Sequence, residues 1–334
     1  MVDYLGSSKY CAEDASTRTI VVFATAKQTY NVAIDGEGPL GGQTIYSQRS
    51  LGASHSDDEQ PMSRKPRPAD ITFPCLDKIA ADLTQISWPR RIHSLALPFF
   101  WIGLYLLFAT LGWWPLAILC LVCLSFVTYG SVSHDLVHGN LGLRKRTNDL
   151  FLSLIELLAL RSGHAYKMAH LHHHARYPHS DDIEGEAAGM SLPRTLFEGI
   201  IFQFRIWLWA LKRAQKDRAI ILFEGVGCVA LVGLSVALYP VTPILLAYVL
   251  LMIMGSWVIP LATSYVPHDP SGKNELFQTR LFRGKLASLV AIEHLYHLEH
   301  HLYPSVPHHH WPALARRLDP YFSKAGVKPI KFWF

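Results

Sequence analysis

Residues 115–140 read "PLAILCLVCLSFVTYGSVSHDLVHGN". From Pro115 to Val132 the stretch is apolar for roughly the thickness of a bilayer, a length that reads as a membrane-spanning helix. It then runs without a break into His134 and His138, spaced i,i+4, which a helix places on one face. The fold is therefore expected to hang metal-ligating chemistry directly on the end of a span.

The pattern repeats on either side. "SLALPFFWIGLYLLFATLGWW" (94–114) precedes the stretch, and the Gly112–Pro115 turn between them predicts a helical hairpin with Trp113 and Trp114 at the interface. "AIILFEGVGCVALVGLSVAL" (219–238) and "VTPILLAYVLLMIMGSWVIPLA" (241–262) read as a second hairpin. Glu224, inside the first of these, is either interfacial or functional. "NDLFLSLIELLAL" (148–160) is too short to span and reads as a re-entrant or interfacial helix. "LFEGIIFQFRIWLWALKRAQK" (196–216) mixes apolar and basic residues and reads as one amphipathic helix on the membrane surface. The predicted class is all-α and integral to the membrane: four transmembrane helices as two hairpins, with interfacial helices and a cytoplasmic histidine-rich cap.

Half of the 334 residues are apolar and the net charge is only +5. No Lys/Arg run interleaved with aromatics points to nucleic acid, so the basic residues are read as topology signals. The two tight turns lack Lys and Arg. The segment between the hairpins carries Arg144, Lys145, Arg146, Lys212, Arg213, Lys216 and Arg218, and both flanks are basic at Arg90, Arg91, Arg316, Arg317 and Lys324. The positive-inside rule then puts both termini and the histidines in the cytoplasm. Five scattered cysteines give no disulfide framework, and Cys120 and Cys123, a C-x-x-C inside an apolar run, read as helix-packing residues. Residues 1–61 are rich in Gly, Ser and Thr, with one β-like run from Thr19 to Thr25 and no signal-peptide pattern. They are expected to be a poorly ordered tail, or the product of a start assigned ahead of Met62, before a single domain over 62–334.

Sixteen of the eighteen histidines lie at or beyond His134. After His134 and His138, "HLHHHARYPHSDD" sets His170, His173 and His174 at i, i+3, i+4. "HLYHLEHHLYP" (294–304) repeats that spacing in His297, His300 and His301. A lone histidine is most simply an interfacial or buried ring; three clusters with helical spacing on one side of a membrane are not. Neutral imidazole is the commonest protein metal ligand, and eight exceed what one zinc needs. The count suits two ions with open positions. A metal-transporter loop is the rival reading, although such ligands would lie within the spans. His172 points to another face. His308, His309 and His310 lack the spacing and read as surface residues. Asp135, Asp181, Asp182, Glu184 and Glu299 are candidates to fix ring tautomers, with Glu184 the one most readily left to solvent.

The order H-x-x-x-H, H-x-x-H-H, H-x-x-H-H, interleaved with two hairpins over roughly 90 to 330, resembles the membrane fatty acid desaturase and hydroxylase superfamily, carotenoid ketolases and hydroxylases included. The resemblance implies a non-haem di-iron centre that uses O2 as co-substrate to attack unactivated C–H bonds in lipids. Carried over, the ligands are His134, His138, His170, His173, His174, His297, His300 and His301. A further ligand is expected between the second hairpin and the last box, where His268 in "SYVPHDP" is the histidine available. Asp135 and His294, one turn before His297, are expected to support the ligands from behind. Fatty acyl desaturation is the leading expectation and carotenoid ring oxygenation the alternative; other lipid or alkane hydroxylation ranks below both. No His-Pro-Gly-Gly haem motif occurs, so electrons are expected from a separate ferredoxin, rubredoxin or small cytochrome.

Overall fold

The computed structural model describes residues 73–284 and 294–331, together with two short strands, Ala24–Thr25 (β1) and Gln28–Thr29 (β2), which pair antiparallel. Residues 12–67 form a unit of their own. Apart from β1 and β2, the expectation of a poorly ordered tail over 1–61 falls outside the described residues.

Among the described residues, four helical runs are long and apolar enough to cross a membrane: Trp88–Thr110, Trp114–His138, Arg218–Ala237 and Ile244–Tyr265. The chain is an integral membrane protein. In hydrocarbon every backbone N–H and C=O must be satisfied within the segment, which is why these apolar stretches are helical. After a short helix Leu76–Ile79 (α1), the first span is α2 (Trp88–Thr110). The second consists of α3 (Trp114–Val127), a π-helical turn Thr128–Val132, and α4 (Ser133–His138). Gly112, at φ +74°, makes the reversal between α2 and α3, a conformation that costs glycine little. The third span is α9 (Arg218–Ala237). The fourth is α10 (Ile244–Ser256), continued to a second π-helical turn, Leu261–Tyr265. The spans meet around Tyr105, Leu121, Leu124, Tyr248 and Met252. Tyr105 Oη donates to Ile244 O at 2.6 Å.

Helices α5 (Lys145–Leu158) and α6 (Gly163–Arg176) pack against each other. Fourteen residues of α5 rise about 21 Å, too little to cross a bilayer. The turn between them reaches the spans: Leu158 O accepts from Tyr248 Oη, and Ala159 packs with Tyr105 and Tyr248. Gly163 lets the two helices touch, because a Cβ there would lie 2.9 Å from both Leu152 Cγ and Leu152 O. Ser162 caps α6 by accepting from Ala165 N. Arg161, also in this turn, is buried against Glu156, Nε to Oε2 at 2.8 Å.

Glu224 is buried. Its carboxylate accepts from Ser153 Oγ (2.5 Å), Ser162 Oγ (2.6 Å) and His164 N (3.1 Å), and meets His164 Nδ1 at 2.8 Å. It ties α9 to the turn between α5 and α6. The single amphipathic helix expected over 196–216 is instead two, α7 (Leu192–Gly199) and α8 (Phe202–Arg213). The break falls where α7 docks on the fourth span at Trp257: Trp257 Nε1 donates to Leu196 O, and a Cβ on Gly199 would strike Trp257 O at 2.0 Å.

The C-terminal part has its own core. Helices α11 (His297–Leu302) and α12 (Trp311–Lys324) pack with Phe73, Ile79 and Leu83 around Leu298, Tyr303 and Phe322. Strand β3 (Phe282–Arg283) pairs in parallel with β4 (Ile330–Lys331). Tyr303 Oη donates to Pro74 O at 2.7 Å, and Arg317 grips Asp82 at 2.6 and 2.7 Å. Cys75 is disulfide-bonded, which the scattered cysteine spacing does not announce, whereas Cys120 and Cys123 are free thiols.

Glu224→Ala strips the acceptor from four donors in a buried site. It should cost roughly 3 kcal/mol, read as a lowered thermal midpoint in detergent, and Glu224→Gln should recover part of the loss.

Candidate metal centre

Nine imidazoles converge beside the C-terminal ends of the second and fourth spans. His134 and His138 come from α4, directly after the first π-helical turn. His170, His173 and His174 come from the last turns of α6, which carries them away from the turn after α5. His268 follows the second π-helical turn. His297, His300 and His301 come from α11. They sort into two groups whose ligand atoms all lie within 4.8 Å of one another: His134, His138, His170, His174 and His300 in one, His173, His268, His297 and His301 in the other.

The nitrogens that meet are Nε2 throughout. In the larger group, His134 lies 3.0 Å from His300 and 3.1 Å from His170; His174 lies 3.1 Å from His170 and 2.7 Å from His300. In the smaller, His268 lies 3.2 Å from His173, 3.1 Å from His297 and 3.3 Å from His301, while His297 and His301 are 3.0 Å apart. Nitrogens bound at about 2.1 Å are about 3.4 Å apart on a tetrahedron but about 3.0 Å apart at right angles. Spacings of this order are those of nitrogens that share one metal ion, so each group could hold one. His138 Nε2 is buried with no hydrogen-bond partner and completes the larger group as a donor awaiting a cation.

Acids behind the rings decide which nitrogen is free to bind. His173 Nδ1 meets Asp182 Oδ2 at 2.7 Å, and His170 Nδ1 meets both oxygens of Glu184 at 3.1 Å. His268 Nδ1 meets Ser264 O at 3.1 Å. A carboxylate or carbonyl can only accept, so each Nδ1 carries the proton and each Nε2 keeps its lone pair. His174, His268, His300 and His301 are held well below the ordinary imidazole pKa, by burial first and by neighbouring imidazoles second. They are neutral donors at pH 7. Trp311, buried, packs its ring against His134 and His300 at 5.3 and 5.1 Å and keeps water from that side.

Several expectations change. Glu184 is not a solvated acid; it is buried and serves His170. Asp135 reaches across to His308: its carboxylate accepts from His308 Nδ1 (2.6 Å) and His308 N (3.0 Å), so it joins α4 to the turn before α12. His308 is therefore not a surface residue but a buried partner of Asp135. His310 is half-buried and meets Leu83 O at 2.6 Å through Nδ1. Asp181 binds Arg176 and His179 and lies 3.3 Å from His172, away from both groups. Glu299 pairs with Arg283 at 2.6 Å. His172 turns to Trp209 and Asp181, as its helical face implies. His294 opens the helical turn His294–Tyr296, but its side chain lies outside the described residues. The Asp135–His308 pair and the service of Glu184 are what sequence reasoning missed. The acidic run after the second box was a usable signal for Glu184, while nothing local pointed to His308.

A span-anchored cage of histidines could hold metal ions, and the comparison with known families fits such a site. The sequence model of the fatty acid desaturase family matches residues 111–333, a stretch that contains all nine histidines. The chain belongs to that family, whose activity is oxidoreductive, of the desaturase and hydroxylase type. No curated protein matches it by sequence.

Asp182→Asn should weaken metal binding by about 10- to 100-fold, measured by chelator competition, whereas His172→Ala should leave it unchanged. The four depressed histidines also fix a pH dependence. The unfolded chain protonates them near pH 6.5 and the folded chain does not, so stability is full above about 6.5 and falls below it. Metal-free protein should lose up to about 1.4 kcal/mol per ring per pH unit between 6.5 and 5.5, seen as a falling denaturation midpoint.

Proposed function

We propose that the protein is an O2-dependent, di-iron fatty acyl desaturase with its active site and both termini in the cytoplasm. The observation that carries the reading is the division of nine convergent imidazoles into groups of five and four beside the C-terminal ends of the second and fourth spans. His134, His138, His170, His174 and His300 would hold one iron and His173, His268, His297 and His301 the other. Iron bound there would supply the activation of dioxygen. The reaction balances as –CH2–CH2– plus O2, two electrons and two protons, giving –CH=CH– and two waters. The electrons come from a small external one-electron donor of the ferredoxin, rubredoxin or cytochrome kind.

The protein's own part is positional. Asp182 and Glu184 hold a proton on Nδ1 of His173 and His170 and so fix the direction of each lone pair. Trp311 and the buried faces of α4 and α11 exclude water from the centre, which protects a reactive site from side reactions. A chain laid beside the centre is oxidised at the carbon that the protein presents. The resident metal chemistry also serves hydroxylation and ring oxygenation, and product identity separates these.

Expressed in a host that lacks unsaturated acyl chains and makes β-carotene, the protein should add one double bond to its acyl lipids. Mass spectrometry reads the outcome: an oxygenated ring with unchanged acyl chains would replace this reading with carotenoid oxygenation. His300→Ala should lose at least ~100-fold of the product together with bound iron.

A further inference from the structure

A groove of about 220 Å³ runs between α3 and the fourth span. Its floor is buried, with Leu121 and Met252 each 3% exposed. Its rim is open: Ile118, Val122 and Val258 are 42, 46 and 44% exposed. These rim residues lie on helices that cross the membrane. A groove with a sealed floor and an open rim on such helices faces acyl chains, not water. Along α3 its lining runs from Ile118 to Thr128, ten positions (128 − 118), or about 15 Å.

The groove lies next to the metal centre. Thr263 lines both it and the small cleft that contains His134, His170 and His297. Thr128, also in its lining, begins the π-helical turn that delivers His134. This adjacency separates it from an ordinary lipid-facing furrow.

Its chemistry selects hydrocarbon. Ser125, Thr128, Ser256 and Thr263 line it, and each hydroxyl donates to a carbonyl of its own helix, at 3.0, 2.9, 2.8 and 2.9 Å. Their protons are thus engaged locally. Arg161 is the charged residue of the lining and is matched by buried Glu156 through two contacts, 2.8 and 3.2 Å. The pair is neutral as a whole. A free carboxylate or a phosphate headgroup would bring an uncompensated charge into the bilayer.

The geometry points to lateral loading: the groove admits, from within the bilayer, one acyl chain of a lipid already dissolved there. The substrate is then a membrane lipid and not a water-borne acyl thioester. This rests on the acyl reading above, and the test keeps the two apart.

Gly255 supplies the probe. A Cβ there would meet only Ser125 Oγ, at 3.5 Å, an ordinary contact. Gly255→Leu should therefore fill the groove without moving the backbone, and it replaces a poor helix former with a good one. Gly233 on α9 has nothing within 4 Å of its Cβ position, and Gly233→Leu serves as the control. Iron-loaded full chain is placed in vesicles of phosphatidylcholine whose saturated acyl chains carry a diazirine near the methyl end, irradiated, and mapped by mass spectrometry. Adducts should concentrate on Ile118, Val122 and Val258 and fall at least ~5-fold in Gly255→Leu but not in Gly233→Leu. Labelling spread evenly over Phe223, Val229 and Met254, or unchanged in Gly255→Leu, overturns the proposal. In parallel, saturated phosphatidylcholine in vesicles should be desaturated, with at least ~10-fold loss in Gly255→Leu at unchanged iron content. Turnover of an acyl thioester alone, undiminished in Gly255→Leu, overturns lateral loading and leaves the acyl reading standing. No acyl turnover of either substrate, with groove adducts as expected, overturns the acyl reading and supports the groove as a lipid site.

Discussion

The structure depends on keeping nine imidazoles aimed at two points. Buried rings crowded this closely resist protonation, so their lone pairs face one another across about 3 Å, an arrangement of like dipoles with no internal remedy. Only fixed outer partners and rigid helices can hold such a set in register before an ion arrives. The acids behind His170 and His173 and the carbonyl behind His268 supply the first. The spans and the α5–α6 pair supply the second.

Membrane physics explains why the ligands come in short helical clusters. Irregular backbone is costly in hydrocarbon, so donors are carried on helix ends that emerge from the apolar phase. One group draws on α4, α6 and α11; the other draws on α6, α11 and the segment after the second π-helical turn. Helix α6 serves both, with His170 and His174 in one group and His173 in the other. Its position is fixed from below by the network at Glu224 and from its start by the contact of Gly163 with Leu152.

Much of this was legible in the sequence because periodicity is local. The i,i+4 pair in α4 and the i, i+3, i+4 triplets in α6 and α11 identify which rings share a face, and the apolar runs identify the spans. His268 stands alone in its segment and was reachable only through resemblance to a family. Partnerships between distant segments were not legible. Asp135 and His308 are 173 positions apart, and no pattern near either one names the other. The break between α7 and α8 is set by Trp257 from another span, which helical periodicity in 196–216 cannot anticipate. Glu184 looked solvated because its neighbours in sequence are polar; its burial comes from α6 folding back over it.

The two π-helical turns have one more consequence. Each residue advances a helix by about 100°, so the wider turn before His134 and before His268 resets the angular phase of the residues downstream of it. Upstream, the apolar faces of α3 and α10 answer to neighbouring helices and lipid; downstream, the histidines answer to the ions. The phase offset decouples these demands, so side chains on the spans are free to drift while residue number in Thr128–Val132 and Leu261–Tyr265 is not. Loss of a single residue there would swing a histidine about a quarter-turn out of its cage and leave the hydropathy of the span almost unaltered.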